Sequence, residues 1–88
     1  MYNNSFTIIS DDLSEYMSTH DKCLLKEDML QLAYKEYTVD LGFYSNQFIL
    51  YVVKDNNWDI PIKKEYILEK DIINNINKAC NEVLSYNK

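Results

Sequence analysis

The chain has 88 residues, 47% of them hydrophobic, with fourteen acidic side chains against nine basic ones and a formal net charge of -5. That length gives one domain, residues 1–88, with a small core, and the hydrophobic fraction is too high for a disordered chain. All nine basic residues are lysine, so the acidic balance and the lack of arginine argue against phosphate-bearing partners, which call for basic patches and bidentate guanidinium contacts.

Glycine and proline occur once each, which leaves no flexible linker, and no internal repeat is present. The start Met1-Tyr2-Asn3-Asn4 lacks the basic and apolar regions of a secretory signal. No apolar run approaches the ~20 residues of a membrane span. A cytoplasmic protein is expected. Cys23 and Cys80 are too few for a disulfide scaffold and are read as small, buried, reduced hydrophobes.

In chain order, residues 5–9 are read as a short extended lead-in. Asp11 and Asp12 then offer helix N-caps, and Asp12 with Glu15 resembles a capping box. Leu13, Tyr16, Met17 and His20 share one face at helical spacing, which predicts a first helix over about residues 11–20. A second helix is read over about residues 24–36, where Leu25, Met29, Leu32 and Ala33 share a face. Leu30, Leu32 and Tyr34 also alternate, which leaves a backward extension of the next strand as the alternative.

From Tyr37 the period becomes two. Val39, Leu41 and Phe43 point one way; Thr38, Asp40 and Tyr44 point the other. Gly42 is assigned to a bulge or a tight strand end. Ser45-Asn46 has turn chemistry, and Phe48 to Val53 is apolar throughout, which predicts an antiparallel hairpin. Asp55-Asn56-Asn57 marks another turn. Residues 58–66 are read as a third strand, with Pro61 and the charged Lys63-Lys64-Glu65 placing it at an edge. The last element is the clearest: Ile72, Ile76, Ala79, Cys80 and Val83 form one apolar stripe of an amphipathic helix. The expected fold is therefore α+β: two N-terminal helices, a three-stranded antiparallel β-meander, and a C-terminal amphipathic helix packed on one sheet face.

Catalytic chemistry finds little support, and no enzyme is expected. His20 is the sole histidine and reads as structural, at the apolar face or the C-terminal end of the first helix. His20, Asp21, Cys23 and Cys80 lack the spacings of a zinc site. One glycine cannot build a phosphate-binding loop. No cofactor and no metal are expected. The feature that stands out is a set of acids and aromatics on the hairpin. Asp40 is expected to be exposed beside Tyr44 and near Tyr51, while Asp55 and Asp59 flank Trp58. These six form a candidate partner-binding surface, because aromatic anchors with flanking charge suit protein interfaces. The alternative is an ordinary solvated sheet face. Residues 1–62 hold ten acids and four lysines, so the excess negative charge lies outside the last helix.

The runs Val39-Asp40-Leu41-Gly42-Phe43-Tyr44, Phe48 to Lys54 and Trp58-Asp59-Ile60-Pro61-Ile62 resemble small bacterial immunity proteins of polymorphic toxin and contact-dependent growth inhibition systems. The likeness runs from residue 39 to the final helix. It implies a cytosolic inhibitor that binds and neutralises one cognate toxin domain, often a nuclease with a basic cleft. Neither nucleic acid nor a membrane is then a partner. Two alternatives remain: an inhibitor of a host defence nuclease, of the anti-CRISPR kind, and a self-associating accessory domain.

Overall fold

The computed structural model describes residues 2–86. The order of elements is β1 (Thr7–Asp11), α1 (Leu13–Thr19), a 3-10 turn (Lys22–Leu24), β2 (Leu30–Tyr34), β3 (Tyr37–Tyr44), β4 (Gln47–Lys54), β5 (Lys63–Ile67), a second 3-10 turn (Glu69–Asp71) and α2 (Ile72–Ser85). The class is α+β. Its sheet has five strands in sequential order, all antiparallel neighbours. No helix among the described residues is long and apolar enough to cross a membrane.

The expected second N-terminal helix is absent. Over residues 24–36 there is instead the short 3-10 turn and β2, so the strand alternative holds. Leu30 and Leu32 are both fully buried, whereas Gln31 and Ala33 face the other side. Cross-strand pairing with β3, from Leu30↔Leu41 to Tyr34↔Tyr37, outweighs the helical spacing of Leu25, Met29 and Leu32. The extended lead-in is β1, so the meander has five strands rather than three. The third expected strand starts later than read. Trp58, Asp59 and Ile60 lie in the loop before β5, and pairing starts past Pro61, where Ile62 N–H donates to the Val52 carbonyl. As expected of Pro61, β5 is an edge strand.

One sheet face carries the main core. Leu30, Leu32, Val39, Leu41, Leu50 and Val52 pack with Leu13 and Tyr16 of α1 and with Ile72, Ile76, Ala79, Cys80 and Val83 of α2. Lys63 fastens β5 to α2 through Glu82, at 3.2 Å. At the start of α1 the capping differs from the expected box. Asp12 is the cap residue but makes no side-chain cap bond; its carboxylate pairs with Lys26 at 2.6 Å. Asp11 instead accepts from the Ser14 N–H and hydroxyl. His20 closes α1 in a left-handed conformation, at the C-terminal end of the helix, 3.7 Å from Glu69. Glu69 also accepts a 2.5 Å hydrogen bond from Tyr16, which pushes the tyrosine up to about 12.

Both cysteines are free, but only Cys80 is buried; Cys23 is exposed, which corrects the expectation for that residue. Burial pushes the Cys80 thiol up to about 11.

Candidate functional site

The second face of the sheet has no helix on it among the described residues. The alternation that sends Val39 and Leu41 to the core sends Thr38, Asp40 and Tyr44 to this side. Their β4 partners there are Val53, Tyr51 and Gln47. Ile49 and Val53 are buried on this side and stand outside the main core cluster. Their cover is a thin layer of side chains. Tyr44, Tyr51 and Trp58 form a row, each edge-to-face with the next at centroid separations of 6.2 Å. Lys64 lies 5.8 Å from the centroids of both Tyr51 and Tyr66, a favourable cation–π placement.

The local sequence explains the row. Tyr44 sits at the turn end of the β3–β4 hairpin face and Tyr51 at its middle, opposite Asp40. Ser45 and Asn46 close that hairpin with φ of 47° and 67°, the paired left-handed turn that matches strand twist. At the other end Asp55 and Asn56 take φ of 55° and 57° and send the chain into the loop that carries Trp58. Trp58 is 42% exposed, so it belongs to the surface and not to the core under α2.

Asp40 departs from expectation. It lies on the face assigned to it, so the register is right, but it is only 1% exposed. Its cross-strand neighbours are Gln31 and Tyr51. Gln31 Nε2 donates to Oδ2 at 2.9 Å, while the buried Oδ1 has no hydrogen-bond partner among the described residues. Burial pushes the Asp40 carboxyl up to about 6; the Gln31 bond opposes the rise and the Asp28 charge adds to it. Asp40 thus supplies negative potential from beneath the surface.

Gly42 explains how Asp28 comes so close. The segment before β2 runs beside β3, with Met29 N–H donating to Leu41 and Phe43 N–H donating to Lys26. Between those bonds the Glu27 backbone bulges over Gly42, where a Cβ would sit 1.9 Å from the Glu27 carbonyl oxygen. The glycine is required by this close approach, and the bulge belongs to the segment facing it. Burial first, then the charges of Asp40, Asp28 and Glu27 among its neighbours, push Tyr44 up to about 12.

Of the six candidate residues, Tyr44, Tyr51 and Trp58 form the continuous row, and Asp55 and Asp59 are exposed in the loop around Trp58. Sequence reasoning missed Ile9, Gln31, Glu36, Lys64 and Tyr66 on or beside this face. Ile9 and Glu36 join Asp55 and Trp58 around a groove of about 430 Å³. Their membership depends on β1 and β2 being paired strands, which the helical reading of residues 24–36 concealed. No group of three or more metal-ligating side chains exists among the described residues. The chain matches no protein-family model, no curated protein and no solved structure.

Proposed function

We propose that this chain is an inhibitor of the immunity type, which binds a basic protein domain, such as a nuclease toxin, through the second face of its sheet. The observation that carries the reading is the edge-to-face row Tyr44–Tyr51–Trp58 on a sheet face without a helix among the described residues, with acids at both ends. Aromatic side chains supply large, rigid contact area. Asp55 and Asp59 beside Trp58, and Glu27 and Asp28 beside Tyr44, supply negative potential that speeds encounter with a basic surface. The net charge of -5 and the likeness of residues 39 onward to immunity proteins point the same way. An inhibitor of a host defence nuclease would use the same surface and differ only in partner.

The test is co-expression with the domain encoded beside this chain's gene. Stoichiometric co-purification, rescue from that domain's toxicity and an association rate that falls as salt rises are expected. Failure to bind any neighbouring domain contradicts the immunity reading. One observation favours a second reading, self-association. Ile62, Tyr66 and Leu68, on or beside the β5 edge, are 45%, 60% and 63% exposed. A mass that doubles with concentration in light scattering would support it.

A further inference from the structure

The groove near Trp58 has a composition that selects its occupant. The tips of two hairpins meet there, because Asp55 N–H donates to the Glu36 carbonyl at 2.8 Å. This brings two exposed acidic residues, Glu36 and Asp55, to one rim. Trp58 and Ile9 contribute apolar surface, Ile9 from the bulge that interrupts β1 between Ile8 and Ser10. Ala33 and Thr38, paired across β2 and β3, are small and leave the space between them open.

Neither Glu36 nor Asp55 takes part in an ion pair among the described residues, whose pairs are His20–Glu69, Lys26–Asp12, Lys63–Glu65 and Lys63–Glu82. Lys35 borders the groove, but its ammonium lies 5.3 Å from the centroid of Tyr34, whose ring packs on Phe6 of the core side. Lys54 pairs with Tyr37 and so belongs to the opposite face. A second, buried observation points the same way. Gln31 lines the groove and donates to Asp40, whose other carboxylate oxygen is buried without a partner. The face therefore holds a carboxyl that is in no ion pair among the described residues, joined to the groove through Gln31. Beside the middle ring of the aromatic row the same face already holds a cation, Lys64 over Tyr51 and Tyr66.

We propose that this groove is an anchor pocket for one arginine side chain of the protein partner. The flat guanidinium stacks on the Trp58 ring and its N–H groups reach Glu36 and Asp55, while the aliphatic stem lies along Ile9 and Ala33. The assignment rests on the protein-binding reading for the source of the arginine, but the pocket is testable without the partner.

Trp58 is the sole tryptophan, so its fluorescence reports on the pocket directly. The probe is N-acetyl-L-arginine amide, titrated at constant ionic strength into the full chain. A saturable change with a dissociation constant on the order of millimolar is expected for a ligand of this size. N-acetyl-L-citrulline amide, its neutral counterpart, is expected to give no saturable change. Glu36→Gln with Asp55→Asn, both at exposed positions, is expected to weaken the arginine probe at least fivefold without altering the far-ultraviolet circular dichroism. Free L-arginine has the same net charge but adds an α-ammonium and a carboxylate that must stay hydrated outside the groove, so it is expected to bind no more tightly than the blocked form. An equal response to citrulline, an unchanged affinity in the double variant, or a non-saturating arginine titration would overturn the pocket. Tighter binding of free arginine would overturn the peptide source. Loss of the pocket would leave the Tyr44–Tyr51–Trp58 surface standing, because a partner can engage that row without it.

Discussion

Asp40 and Gly42 show how two small features shape the candidate face. A carboxyl whose folded value lies above its unfolded one binds its proton more tightly in the folded state. Neutral Asp40 therefore supports the fold fully below about pH 4, and that support is lost as pH rises through about 6. The loss amounts to roughly 2–3 kcal/mol. Asp40→Asn, which keeps an acceptor for Gln31, is expected to be more stable than the parent at pH 8 by about 2 kcal/mol and to flatten the profile between pH 4 and 7. Urea unfolding at a series of pH values measures this; parallel profiles for the two proteins would contradict it. Gly42→Ala must move the Glu27 backbone or β3 itself, since the added methyl falls 1.9 Å from a carbonyl oxygen. A loss of about 1–3 kcal/mol is expected in the same unfolding assay. The sequence showed which face Asp40 occupies, because alternation along β3 is local. It did not show the burial, which depends on Gln31 and Tyr51 from two other strands.

Among the elements, α2 was the most legible. Ile72, Ile76, Ala79, Cys80 and Val83 are the residues its stripe predicted, and all five are fully buried. A long amphipathic repeat carries its own orientation, so little tertiary information is needed. Ile76→Ala is expected to cost about 2–5 kcal/mol, whereas Lys78→Ala on the exposed side should change stability by less than about 0.5 kcal/mol. Chemical denaturation of the two variants distinguishes them; similar losses would mean that α2 is not packed as described. The β2 strand was less legible for a physical reason. Its hairpin turns at Lys35-Glu36, with Lys35 at φ 53°, and neither residue is a usual turn former. Without that punctuation, five residues of strand resemble part of a helix. The β3–β4 hairpin had Ser45-Asn46 to mark it and was read correctly. For β5, Pro61 marked the edge, but the start of pairing was hidden because Trp58, Ile60 and Ile62 alternate as a strand would.

At the scale of the whole molecule, helices cover one face of a single sheet. The least principal extent, 20 Å, matches one sheet layer plus one helix layer at about 10 Å each. A two-layer domain of this kind leaves its other sheet face to a thin cover of side chains, here Tyr44, Tyr51, Trp58, Lys64 and Tyr66. The two extra strands were legible only in part, in the extended lead-in at residues 5–9 and the alternation of Leu30, Leu32 and Tyr34, yet the aromatic and acidic residues of the hairpin lie on the face that no described helix covers. The central claim is that this face, and not the helical side, meets the partner. The most direct test is calorimetric titration of the domain encoded beside this chain's gene with the parent, with Tyr51→Ala/Trp58→Ala, and with Lys78→Ala on the outward side of α2. The account predicts that the double variant loses at least about 2 kcal/mol of binding free energy, roughly thirtyfold in Kd, while Lys78→Ala binds as the parent does. Equal affinity of the double variant and the parent, or a comparable loss from Lys78→Ala, would contradict it.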